Sequence, residues 1–151
     1  MRIATGIDLD CPPSRAFAWI DDPERAAQWQ TNVRASTIIH ETPSRVGTTF
    51  RETVKERGRG TEVIGEITEY VPGSLIAFDL RSAYTTAHVR YRITPEGSGA
   101  HLEVGGSVRF RAVMRLLEPL TGWAFARRIR RQFDDELERL RTLCMQNPTT
   151  K

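Results

Sequence analysis

Ile3, Thr5, Ile7 and Leu9 alternate with Arg2, Ala4, Asp8 and Asp10, the period of two expected of a strand with one buried face. Cys11-Pro12-Pro13-Ser14 ends it. Proline lacks an N–H and fixes φ, which suits the first turn of a helix and not a strand interior. Residues 15–20 then read as a short helix carrying Phe17 and Trp19. A second start follows, with Asp22 as N-cap and Pro23 at the first helical position, ahead of Ala26, Ala27 and Trp29.

From residue 33 to about 110 the pattern is one of strands, over 33–41, 48–57, 61–71, 75–81, 85–94 and 101–110. Glycine-rich turns at 57–60 and 95–99, and Val71-Pro72-Gly73-Ser74, separate them. Connections this short cannot carry a crossover helix, so neighbouring strands are antiparallel. Ala87, Val89, Tyr91 and Ile93 share one side of their strand, against Thr86, His88, Arg90 and Arg92 on the other. Leu102, Val104, Gly106, Val108 and Phe110 share one side of the last strand. The sheet therefore has one wet face and one apolar face. Gly105-Gly106 within a strand marks a bulge or a sharp bend.

The apolar face needs a cover, and the C-terminus supplies one. Ile129, Phe133, Leu137, Leu140 and Cys144 are spaced by 4, 4, 3 and 4 residues, a single stripe of an α-helix. Pro119 interrupts the earlier run 112–117 and predicts a break or kink there. From there to residue 145 a helix would reach about 40 Å, enough to cross a whole sheet. The last five residues, 147–151, read as a frayed tail after one domain spanning 1–146.

Composition narrows the function classes. At 151 residues, 39% hydrophobic and 27% charged, the chain suits one globular domain. No run of 18 apolar residues occurs, so no integral membrane association is expected. The opening residues lack the apolar core of a signal peptide, and the expected location is cytoplasmic. Cys11 and Cys144 are a poor metal set and a poor disulfide framework, and read as buried free thiols. With 22 basic and 19 acidic residues the charge is nearly balanced. Arg127, Arg128, Arg130 and Arg131 are the local exception. Asp134, Asp135, Glu136 and Glu138 follow them and can pair three or four residues away, so we expect a solvated, internally paired face and no nucleic acid partner.

The order of strand, two short helices, six antiparallel strands and long C-terminal helix resembles the helix-grip fold of the START-like, SRPBCC superfamily, and within it the polyketide cyclase/dehydrase-type branch. Ile7-Asp8-Leu9-Asp10-Cys11-Pro12-Pro13-Ser14-Arg15-Ala16-Phe17, then Asp22-Pro23 and Trp29, look like its usual opening. Val46-Gly47-Thr48-Thr49-Phe50-Arg51 and Glu66-Ile67-Thr68-Glu69-Tyr70-Val71-Pro72-Gly73 look like its third and fourth strands. The resemblance implies an α+β fold in which a curved seven-stranded antiparallel sheet wraps a long C-terminal helix. It does not fix a function, because such signatures recur in lipid carriers, aromatic cyclases and co-chaperone domains alike.

A curved sheet gripping one helix leaves an apolar gap that side chains do not fill. Its candidate lining residues are Phe50, Phe78, Val89, Tyr91, Val104, Val108, Phe110, Met114, Trp123 and Phe133, with Trp29 and Tyr84 at the mouth. Glu52 is the candidate for chemistry: if Phe50 and Val54 point inward, so does Glu52, and an apolar cavity would raise its pKa towards acid–base use. The alternative pairs it in water with Arg51 or Arg90. Glu66 falls on the polar side of its strand. His40, His88 and His101 form no close pair or metal-like spacing and read as surface residues. No phosphate loop, dinucleotide fingerprint or nucleophile elbow occurs, and no cofactor or metal is expected. Three readings follow: a binding protein for a small hydrophobic or aromatic, lipid- or polyketide-like molecule; a cyclase/dehydratase-type enzyme using the same cavity; or a partner-binding domain with a vestigial pocket. Polar groups converging in the cavity would favour the enzyme, and a uniformly apolar lining the carrier. An edge strand or the helical flank could serve a homodimer.

Overall fold

The computed structural model describes residues 1–56, 58–111 and 114–146, with side chains for all of these but 56, 59 and 114–121. Strand β1 (Arg2–Leu9) leads into helix α1 (Pro13–Asp21), a 3₁₀ turn (Pro23–Arg25) and helix α2 (Ala26–Trp29). Six strands follow, β2 (Val33–His40), β3 (Thr49–Glu56), β4 (Arg59–Val71), β5 (Leu75–Arg81), β6 (Thr85–Glu96) and β7 (Gly99–Phe110), and then helix α3 (Met114–Leu143). The strands form one antiparallel sheet in the order β1-β7-β6-β5-β4-β3-β2. Successive strands are hairpin neighbours, as their short turns require, and β1 returns to close on β7. Asp22 caps the 3₁₀ turn, its Oδ1 accepting from the Glu24 N–H at 3.0 Å.

The inner face of the sheet is apolar where the alternation places it. Ile67, Ile76, Ile93, Leu102 and Val104 are buried there with Leu137 and Leu140 of α3, Cys144 just beyond it, and Phe17 and Trp19 of α1. The Trp19 indole N–H donates to the Gln146 carbonyl at 3.3 Å, tying α1 to the end of α3. Cys11 and Cys144 are both buried free thiols, and burial beside Cys11 pushes the Cys144 thiol up to about 12.

Of the expected alternatives, the break at Pro119 and the bulge at Gly105-Gly106 need correction. Helix α3 runs through Pro119 without a break, because a proline in the second turn leaves a single carbonyl without its helical partner while its fixed φ already matches a helix. Nor do Gly105 and Gly106 form a bulge: the register of β7 with both β1 and β6 passes through them unbroken. Gly106 instead permits a close approach, since a Cβ there would stand 2.8 Å from the His88 carbonyl oxygen. The register shifts fall in β2 and in β4 between Ile67 and Glu69. The run 112–117 and the tail 147–151 lie in whole or in part outside the described residues.

Candidate functional site: a cavity with two acids

Helix α3 changes role along its length. Its second half packs into the core, whereas Phe125, Ile129, Gln132, Phe133 and Glu136 of its middle look onto a cavity of about 440 Å³. Strands β3 to β7 and helix α2 supply the remaining wall, within the size range usual for small-molecule sites. Trp29, Phe50, Phe78, Tyr84, Val89, Tyr91, Val108, Phe110 and Phe133 all line it, as does Glu52. Rings dominate the wall: Trp29 meets Tyr91 edge to face at 5.8 Å between centroids, and Phe50 meets Phe78 at 5.4 Å.

Two of the residues expected to line the gap behave otherwise. Trp123 is 73% exposed, because at about 100° per residue it projects from the side of α3 opposite Phe125. Val104 is buried but lies two pleats deeper than Val108, in the core cluster that contains Leu137 and Leu140. The side chain of Met114 lies outside those described. Trp29, expected at the mouth, is instead buried in the wall, with its Nε1–H making no hydrogen bond among the described residues.

Glu52 points inward as its parity with Phe50 and Val54 requires, and only 6% of it is exposed. The arginines that could have paired it in water lie on the outer face, Arg51 with Glu62 and Arg90 with Glu69, each at 3.3 Å. Burial, and then the neighbouring Glu136 charge, push Glu52 up to about 7.

Glu136 is the site residue that the charge pattern conceals. The sequence groups it with the acids of a solvated face, yet it is 2% exposed. Its Oε1 accepts three hydrogen bonds, from the Thr31 N–H at 3.0 Å, the Thr31 hydroxyl at 3.1 Å and Gln132 Nε2 at 3.1 Å. Burial raises it as well, and these donors oppose the rise, while the Glu136 charge is the second cause that raises Glu52. The signal that could have found it is spacing: Glu136 stands seven residues after Ile129 and four before Leu140, inside the apolar stripe. Tyr91 completes the polar cluster. Burial, Glu136 and Glu52 together hold its hydroxyl far above the usual phenol range, so it stays a donor.

Other polar groups remain outside the cavity. Among the described residues Arg127, Arg128, Arg130 and Arg131 form no ion pair, so the expected pairing along the helix is not made. Asp134 accepts from the Thr5 hydroxyl of β1 at 2.7 Å instead, and Arg141 pairs with Glu138 at 3.3 Å. His88 contacts Asp79 at 2.7 Å on the outer face, and Glu66 is exposed. At the sheet end, Asp8, Glu96 and His101 bring donor atoms within 4.8 Å of one another, a proximity that residue spacing does not reveal. His101 meets Asp8 at 2.7 Å, and this hydrogen bond raises the histidine, which makes the trio an exposed ion-pair cluster. No helix among the described residues is long and apolar enough to cross a membrane.

A sheet wrapped on a long helix with a cavity between them defines a helix-grip protein of the START-like class. The chain belongs to the family described as polyketide cyclase / dehydrase and lipid transport, whose model matches residues 1–144. No curated protein matches it. Among solved structures it is similar to a protein of Thermus thermophilus, with a TM-score of 0.81 and 14% identity over 96% of this chain and 97% of that one. An aromatase/cyclase of a Streptomyces species is similar with a TM-score of 0.77 and 12% identity, over 96% and 93% of the two chains. A START superfamily protein of Mycobacterium smegmatis gives 0.67 and 15%, over 85% and 94%. At these identities the likeness is one of fold.

Proposed function

We propose that the chain binds a small molecule with an aromatic or otherwise hydrophobic body in this cavity, its polar end directed at Glu52, Glu136, Tyr91 and the Trp29 indole. The observation that carries this reading is the wall itself. A space of about 440 Å³ is lined by eight aromatic side chains, and the same wall holds the buried Glu52, whose carboxyl makes no hydrogen bond among the described residues. Buried polar groups are normally satisfied, and a ligand is the natural partner for this carboxyl. The second reading, a cyclase- or dehydratase-like enzyme, rests on the same polar convergence: Glu52, raised to about 7, shares the cavity with a second carboxyl, Glu136. A vestigial pocket suits this open cavity less well.

Native mass spectrometry of the purified protein, with solvent extraction of whatever travels with it, tests the binding reading. A defined hydrophobic compound at near-stoichiometric occupancy is the expected result. Ala87 lies in the cavity wall, and Ala87→Trp should weaken retention by at least about a hundredfold, roughly 3 kcal/mol. An empty protein that also ignores a panel of apolar dyes and lipids would sink the reading.

A further inference from the structure

We infer that the molecule taken up by this cavity carries a positive charge: a protonated amine, or another small organic cation, on an aromatic or aliphatic body. This rests on the binding reading above and names the chemistry of its polar end. Two carboxyl groups, Glu52 from β3 and Glu136 from α3, line the same cavity. Buried charges are ordinarily paired with an opposite charge. Among the described residues neither carboxyl makes an ion pair, although Lys55 and Arg128 also line the cavity: Glu136 receives three neutral hydrogen bonds, all on Oε1, and its Oε2 takes part in none of them. Glu52 makes no hydrogen bond among the described residues.

The groups facing Glu52 can be followed element by element. Helix α3 presents Glu136, with Arg128 exposed at the rim; β6 presents the Tyr91 hydroxyl; β3 itself presents Lys55, exposed at the rim; the segment after α1 presents Asp22; and β2 places Ser36 opposite Glu52 in register. The two cations are exposed, and neither is among the causes that shift Glu52 or Glu136. The part of the cavity around the two buried carboxyls is therefore anionic, with aromatic rings in its wall. The faces of such rings attract cations, the more strongly as water is excluded. A carboxylate ligand would be repelled there. A neutral ligand would bring neither carboxyl an opposite charge.

An ammonium entering this pocket selects the ionised form of Glu52, and the displaced proton leaves to bulk water. The sign of the pH dependence follows. The affinity of an amine rises as pH increases through about 7, where Glu52 loses its proton. A neutral acceptor held by the protonated acid would instead weaken over the same range.

Displacement of an apolar dye by three probes of one shape, naphthylmethylamine, naphthylmethanol and naphthoic acid, tests this directly. At pH 8 the amine is expected to bind at least about tenfold more tightly than the alcohol, with the acid weakest. Between pH 6 and pH 8 the amine should gain about tenfold while the alcohol does not. Glu52→Gln should remove the pH dependence and most of the preference for the amine, and Glu136→Gln should lower that preference independently. Should Glu136→Gln fail to fold, the wild-type pH profile and Glu52→Gln still decide. Dye displaced by the alcohol as well as or better than by the amine overturns the charge assignment and leaves the binding reading standing. A dye that does not bind at all, with none of the probes detected by native mass spectrometry, overturns both.

Discussion

Glu52→Gln is expected to stabilise the fold at pH 8 by about 3 kcal/mol and to leave it nearly unchanged at pH 4. A glutamate ionises with a pKa of 4.5 when unperturbed, and in the folded chain it is pushed to about 7, first by burial and then by Glu136. Between those values the folded state holds a proton that the unfolded state has released. Stability therefore falls as pH rises from about 4.5 to about 7, and stays at the lower level above it. A glutamine at this position has the same shape and no charge to desolvate, so the variant lacks this slope. Thermal or urea unfolding at a series of pH values measures it. Parallel pH profiles for the two chains would mean that Glu52 reaches water and that its burial has been misread. A gain in stability here together with a loss of ligand affinity is the behaviour of a residue kept for function.

Gly65→Val is expected to lower stability by about 3 kcal/mol, the upper end of what overpacking costs. Gly65 stands opposite Phe50 in the β3–β4 register, and the Phe50 ring lies over it, so that a Cβ at 65 would overlap the ring. Swinging clear would disturb the packing of Phe50 against Phe78, whose centroid lies 5.4 Å away. Relief is available only by moving Phe50 into the cavity or bending β4. The clash is one of shared space, so combining Gly65→Val with Phe50→Ala should cost about 1 kcal/mol or more less than the sum of the two single changes. Chemical denaturation of the four chains completes the cycle. Simple additivity would show that the ring does not rest on Gly65.

These two residues also mark how the site relates to the sequence. Glu52 is legible because strand parity is strict: two residues from Phe50 and two from Val54, it must share their face. Gly65 carries no such signal, since nothing in a strand pattern tells which neighbour lies across the sheet. The rings of the wall are legible in the same way as Glu52, by alternation. Val104 obeys the alternation and still lies outside the wall, because alternation gives the face of a sheet and not the depth along it. On α3 the stripe Ile129, Phe133, Leu137, Leu140, Cys144 faces inward as its spacing requires, whereas size alone places Trp123 inward and the helical phase turns it to solvent.

By itself the sequence determined the order of elements, the antiparallel sheet with its apolar face, the long covering helix and the family to which they lead, because each follows from local periodicity and from connections too short for any other topology. Only the tertiary structure decided that Glu136 is a cavity residue. An acid among acids on a helix is solvated by default, and it becomes a site only when Thr31 and Gln132 supply its hydrogen bonds and Glu52 arrives across the gap from a strand more than eighty residues earlier. Pairing of that kind depends on how a sheet curves around a helix, which no local pattern records.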